Sequence, residues 1–349
     1  MKKSLITILQ YLFFLAIGVL FVWLSVKDIH QNQWLQIKDA LVRARHWLIV
    51  PVILLLFISH YSRALRWKIL MEPMGYQPST FNTFAAVMIG YLVNAGVPRL
   101  GEVVKCTILS RYEKVRADRL VGTIVIERAV DVVCLGVVFL AALITQWDVI
   151  GQPFTSRLQG FFRDSGGGTS ITRIILTATA LVVFCLMLYF LLKRFAHLNA
   201  VGKLKEIVRG VVHGLNSIRL IRHKGLFIFH TVFIWFLYLA STTLGIYALQ
   251  ETAFLGWSGG LTTLAVGSVG MILSPGGIGA YAYLVAKLMS YYGLPEDTIG
   301  TALGWLLWSV QTIIILAGGL IFFALFSYYN KNKQHASREQ HKQENIDLA

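Results

Sequence analysis

The sequence predicts an all-α integral membrane protein with about six transmembrane helices and two re-entrant helical hairpins in an inverted-repeat arrangement. Three observations carry this. Of 349 residues, 56% are hydrophobic and only 14% charged, whereas soluble domains carry about 25% charged residues. The apolar residues fall into runs of about 20, the length that spans hydrocarbon as a helix. Two of the runs are cut short by Gly/Pro breaks. With a mean hydropathy of +0.63, the surface suits a bilayer rather than water.

The first run, Leu5 to Val26, follows Lys2 and Lys3. It has no small-x-small cleavage site and is longer than a signal h-region, so it reads as a retained first helix. Further runs are Trp47 to Ser62, Phe81 to Val97, Leu120 to Gln146, Ile174 to Leu192, Leu226 to Gln250, Leu261 to Leu273 and Ile299 to Tyr328. The third and seventh are too short to span with ease, and each runs into a break. These predict hairpins over about 81–116 and 258–293, turning at Asn94, Gly96, Pro98 and Gly101, and at Pro275, Gly276, Gly277 and Gly279. Unwound backbone at membrane depth survives only when buried in protein or lining a cavity. The two turns should therefore meet near the middle of the bundle, where a transported substrate would sit.

Lys and Arg flank the apolar runs, so the net charge of +15 reads as topology rather than as a nucleic-acid face. If both hairpins turn back, the proposed cytoplasmic segments hold 23 Lys and Arg, far more than the outer loops. The positive-inside rule then puts both termini in the cytoplasm and the chain in the cell membrane. Gly101 and Gly279 lie 178 residues apart, in hairpins entering from opposite faces. Paired, Gly/Pro-interrupted segments in two halves point to a transporter-type site. The transmembrane domain is expected over 1–328. An amphipathic helix over about 199–222 is expected at the inner interface, as a lipid-attracting or plain linker helix. Residues 151–170 read as an outer loop and 329–349 as a disordered cytoplasmic tail.

Glu127, Arg128 and Asp131 interrupt the fourth run, where each charge costs at least about 2.5 kcal/mol on insertion scales. Glu127 and Asp131 share a helix face, and Arg128 can pair with Asp131. The trio reads either as an internal ion pair locking the helix or as a headgroup or proton site. Arg99, Glu102 and Lys105 follow the first break at three-residue spacing and line one side of the next helix. Beside a helix N-terminus, Arg99 and Lys105 suit a lipid phosphate; snorkelling to the interface is the plainer reading. Lys287 lies in an apolar stretch and calls for a partner, with Glu127 and Glu102 as candidates. Gly276, Gly277 and Gly279 allow either close helix packing or approach of backbone amides to a ligand. His60 and His230 read as hydrogen-bonded structural residues.

Cys106, Cys134 and Cys185 lie far apart and suggest neither a disulfide framework nor a metal site. No Walker A loop, HExxH, nucleophile elbow or dinucleotide fingerprint is present, so neither a cofactor nor ATP-driven chemistry is expected.

Through Asn94, Ala95, Gly96, Val97, Pro98, Arg99, Leu100, Gly101 and Glu102, with Lys105, Glu127, Arg128, Asp131 and Pro275 to Gly279, the chain resembles the lysylphosphatidylglycerol synthase transmembrane-region family, the flippase-like group. The family's first motif usually reads P-x-R-x-G-E-x-x-R, so Lys105 stands for an arginine. Many members carry a glutamate shortly after the second glycine motif and an arginine in the last helix; here Ala282 and the Gly304 to Trp308 stretch stand instead. The resemblance implies two re-entrant hairpins and movement of charged-headgroup lipids between leaflets. Members fused to a soluble aminoacyl-transfer domain make aminoacylated phospholipids, and this chain, about 20 residues past its last helix, is expected to lack that activity. The expected function is thus a lipid flippase acting on phospholipid or lipid-linked headgroups. The alternatives are a membrane scaffold for a lipid-modifying or glycosyl transferase, docked through the basic 193–224 segment, and, more distantly, an embedded enzyme using Glu127 and Asp131.

Overall fold

The structure, a computed structural model, describes residues 15–97, 99–151 and 221–347. Pro98, the fifth apolar run, residues 152–170 of the expected outer loop and 199–220 of the expected interfacial helix lie outside the described residues, as does the start of the first run. Among the described residues every regular element is helical. The helices are α1 (Leu15–Val26), α2 (Gln31–Val42), α3 (Ile49–Met71), α4 (Thr80–Gly96), α5 (Leu100–Glu113), α6 (Ala117–Thr145), α7 (Lys224–Ala248), α8 (Gly256–Leu273), α9 (Ala280–Tyr291) and α10 (Thr301–Asp347).

Among the described residues, four continuous helical stretches are long and apolar enough to cross a bilayer: His46–Met74, Lys224–Ala248, Gln250–Leu273 and Glu296–Lys331. The chain is therefore an all-α, multi-pass membrane protein. Three of these match the second, sixth and eighth apolar runs. The remaining one differs from expectation. Leu261 to Leu273 looked too short to cross, but a tight helical turn over Gln250–Leu255 joins α8 and lengthens it to 24 residues. Helix α10 also departs from the disordered tail expected over 329–349, since it continues to Asp347. Gly and Pro are absent from that stretch, and its Lys, Gln, Glu, Arg and Ala residues favour helix.

By packing, the chain falls into two compact units, Met1–Ile124 with Arg219–Ala349, and Val125–Ile218. The first contains α1 to α5, the first turns of α6, and α7 to α10. The second contains the rest of α6 and the short turn Trp147–Gly151.

Within the first unit α4 and α5 fold back on each other, as do α8 and α9, and α3 pairs with α7. Small residues set several of these contacts. Gly300, just before α10, and Gly304 on it face Ala286 and Ala282 of α9, where a Cβ at Gly304 would come within 2.6 Å of the Ala282 carbonyl oxygen. This is small-xxx-small packing on both helices, which lets backbones approach where lipid gives no hydrophobic drive. Gly318 and Gly319 do the same for α10 against Met88 and Leu92 of α4. Polar groups add a second fastening at the open end of the first hairpin. There Asn82 and Asn330 exchange amide hydrogen bonds, Asn330 Nδ2 to Asn82 Oδ1 at 3.0 Å and Asn82 Nδ2 to Asn330 Oδ1 at 3.2 Å, and Asn82 also donates to Glu113.

Candidate functional site

The first turn is built by one residue reaching across the break. Helix α4 ends at Gly96, Val97 is extended, and Arg99 takes a left-handed conformation (φ 67°) as the residue capping α5. Side chains rarely adopt that backbone. The Asn94 side-chain oxygen accepts from the Gly101 N–H at 2.8 Å, so α4 itself caps one of the amides that α5 leaves open. Gly101 is required by space. A Cβ there would overlap the Gly90 carbonyl oxygen and lie 2.7 Å from Asn94 Cγ. Gly90 is the reciprocal residue, with Gly101 O 3.0 Å and Lys105 Cβ 3.2 Å from its Cβ position. Sequence reading missed Gly90, although its spacing of eleven from Gly101 brackets the turn. Gly96 faces open space.

The second turn is held by three left-handed glycines, Gly276 (φ 59°), Gly277 (φ 71°) and Gly279 (φ 70°). Each would cost other residues about 1–2 kcal/mol. Ser274 Oγ donates to the Ile278 carbonyl at 2.9 Å, and the Trp308 indole of α10 donates to the Gly276 carbonyl at 2.9 Å. A Cβ on Gly279 would overlap the Val22 backbone of α1, and one on Gly277 would strike the Met271 sulfur. Close packing, one of the two readings of these glycines, is what Gly277 and Gly279 display. The turns meet as expected. The Cβ position of Gly276 lies 3.6 Å from Ala95 Cα.

The charged residues divide differently from the sequence expectation. Arg99 is exposed, Glu102 is half-buried and Lys105 is buried at 5% exposure. The stripe therefore starts at an open turn and ends in the interior, so Arg99 and Lys105 do not line one open cleft. The Lys105 ammonium sits 4.6 Å from the centre of the Trp67 ring, an attraction that grows when water is excluded. Trp67 is fixed by its indole donating to Thr123 Oγ1 at 2.8 Å.

Beside Trp67 on α3 lie Arg63 and Arg66, just beyond Ser62, where the second apolar run was expected to end. Helix α3 instead continues to Met71, Arg63 is buried and Arg66 has 0% exposure. Arg63 Nη2 donates to Tyr238 Oη at 3.2 Å and Arg66 Nη1 to Thr231 Oγ1 at 3.4 Å, both on α7. The Arg66 guanidinium also lies 6.0 Å from the Phe227 ring centre. Ser62 Oγ and His230 Nδ1 share a 2.8 Å hydrogen bond between the same helices, in line with the structural reading of His230; the His60 ring lies tilted against Tyr91, with centroids 5.0 Å apart. The available signal was the apolar series Trp67, Ile69, Leu70 and Met71 beyond the arginines.

In the second unit Glu127 is 1% exposed, and Arg128 lies 3.6 Å from Glu127 Oε1 and 3.9 Å from Asp131 Oδ2. The i,i+3 pair expected from spacing is present, with the Arg128 side chain 43% exposed. Lys287 does not turn to Glu102. Its ammonium pairs with Glu296 at 2.7 Å while remaining 48% exposed. The turn at Gly293, with φ 76°, returns the chain so that Glu296 reaches the last turns of α9. Lys287 is thus part of a local surface pair. Cys106 is buried and Cys134 half-buried.

Ala282 of α9 and Gly304 of α10 stand in close backbone contact.

A family model described as the lysylphosphatidylglycerol synthase TM region matches residues 11–329. A UPF0104 membrane protein of Methanocaldococcus jannaschii is 27% identical over 133 residues, which is 37% of this chain and 36% of that protein. The chain thus spans about a third of the length of that curated relative. No solved structure matches.

Proposed function

The chain belongs to the lysylphosphatidylglycerol synthase TM region family, and from that membership we propose that it moves phospholipid or lipid-linked headgroups between the leaflets of the cell membrane. The observation that supports this best is the meeting of the two helix breaks, where Ala95 in the last turn of α4 lies against Gly276. Broken helices facing each other at membrane depth are how transporters build a substrate site.

In this reading the hairpins enter from opposite faces, and the excess of basic residues keeps both termini in the cytoplasm. The open α5 N-terminus and Arg99 draw a headgroup phosphate through backbone N–H groups and cationic charge. Glu127 and Asp131, with Arg128 between them, take a cationic headgroup or a coupling proton. Membrane lipids are the partners, and the chain carries out no covalent step.

The test is purified protein in vesicles containing phosphatidylglycerol labelled on its headgroup, with a membrane-impermeant quencher added outside. Wild type should expose the inner-leaflet label, and Arg99→Gln and Arg128→Gln should slow that exposure. If no candidate lipid moves and the substitutions change nothing in cells, the scaffold reading takes its place.

A further inference from the structure

The two ends of the first unit differ in charge. At one end the starts of α4 and α7 meet the ends of α3 and α5 and the Asn330 turn of α10. Asn82 bonds both Glu113 and Asn330, Lys68 donates to Thr80 Oγ1 at 2.7 Å, and His223 lies 3.9 Å from Glu72. Arg111, Lys114, Arg116, Arg119, Lys224 and Lys331 are all exposed there. They outnumber the carboxylates of this end, Glu72, Glu113 and Asp118. At the other end charges pair off, Lys27 with Asp28, Arg43 with Glu251 and Lys287 with Glu296.

Helix α5 sets this charge at the end of an apolar stripe. Leu100, Val103, Thr107, Arg111 and Lys114 follow one another at three- or four-residue spacing, so they share a face, and all five are exposed. The stripe is apolar beside the first turn and cationic at its far end. Val103 and Arg111 are eight residues apart, about 12 Å along the axis. The Arg111 guanidinium lies 5.9 Å from the centre of the Tyr112 ring, and Tyr112 packs edge-on against Phe326 of α10 at 4.7 Å. Lys114, the residue capping α5, holds a left-handed backbone with φ 55°, which glycine adopts without that strain. A lysine kept at such a helix end supplies charge where glycine would fit the backbone better.

A phospholipid has the same order, phosphate first and acyl chain after it. We propose that the exposed face of α5 is a docking site for an anionic phospholipid of the adjoining leaflet, with Arg111 and Lys114 on the phosphate and the acyl chain along Thr107, Val103 and Leu100. Clustered Lys and Arg where an apolar helix leaves the bilayer draw anionic headgroups, and Arg116 and Arg119 across the bend add to the field. An acidic protein would match the charge but leave the apolar stripe uncovered. The site holds a lipid whether or not the chain moves it.

The experiment is native mass spectrometry of the whole chain in detergent, titrated with dioleoyl-phosphatidylglycerol and, separately, with dioleoyl-phosphatidylcholine, glycerol 3-phosphate and oligoglutamate. Wild type should retain the anionic lipid about tenfold better than the zwitterionic one, and the two probes without acyl chains should compete poorly. Lys114→Gly removes the charge and relieves the backbone, so it should unfold no earlier than wild type yet retain the lipid about fivefold less, the scale of one cation at an anionic surface. Arg111→Gln should lose as much, Lys114→Arg should keep binding, and Val103→Gln should weaken it with charge unchanged. Lys38→Gln, at an exposed cation of the balanced end, should change nothing. Equal retention of the two lipids, or unchanged retention in folded Lys114→Gly and Arg111→Gln, would overturn the proposal. So would a loss in Lys38→Gln as large as in Lys114→Gly, which would mark net charge rather than a site. Oligoglutamate that displaces the lipid would replace it with an acidic protein partner. Binding and vesicle lipid movement are separate readouts, so the failure of one is distinguishable from the failure of the other.

Discussion

At the scale of residues, the first turn depends on Asn94, Gly90 and Gly101 acting together. Asn94→Ala removes the side-chain acceptor of the Gly101 N–H and should lower stability by about 1 kcal/mol. Gly101→Ala should cost more, because its Cβ meets the Gly90 backbone, which cannot rotate away. Thermal unfolding in detergent, followed by tryptophan fluorescence, should rank wild type above Asn94→Ala and Asn94→Ala above Gly101→Ala; the reverse order would show that α4 and α5 separate without strain. Lys287→Gln should change stability by less than about 1 kcal/mol, since the Glu296 pair is half in solvent. The turn residues were legible because Gly and Pro punctuate an apolar sequence. Arg63 and Arg66 were not, because a hydropathy run ends at the first charge whether or not the helix does. The partner of Lys287 was hidden by the Gly293 turn, which brings together residues nine apart.

At the scale of elements, helix association rests on small residues and on a few buried amides. Gly304→Leu should force α9 from α10 at Ala282, which gives about 2.6 Å of room to a first Cβ, and the variant should unfold at markedly lower temperature. A stable variant would mean that α10 can slide. Asn82→Ala and Asn330→Ala in a double-mutant cycle should show a coupling of about 0.6 kcal/mol and at most about 1.7, the range for hydrogen bonds between membrane helices. Zero coupling would remove the fastening between the first hairpin and α10. The long spans were legible from length and hydropathy alone. The reach of α8 was not, because Gln250, Glu251 and Thr252 depress the local hydropathy while the backbone stays helical. The helical tail was missed for the opposite reason. Its polarity was read as disorder, although polar residues without Gly or Pro are compatible with helix.

For the whole molecule, the proposed lipid movement requires that the two helix breaks, which meet where Ala95 lies against Gly276, part to let a lipid pass. The contact of Ala95 with Gly276 can be tested by pairing them. In a background with Cys106, Cys134 and Cys185 replaced by serine, Ala95→Cys and Gly276→Cys place a new Cβ 3.6 Å from the Ala95 backbone, within reach of a disulfide. A left-handed cysteine at 276 costs about 1–2 kcal/mol, and each single variant controls for that. The measurement is headgroup-labelled lipid movement in vesicles carrying the double variant, before and after reduction. The account predicts an intramolecular cross-link that stops lipid movement, restored by reductant, with both single variants active throughout. A complete cross-link with undiminished movement would contradict it, because the lipid would then pass without the two turns ever separating.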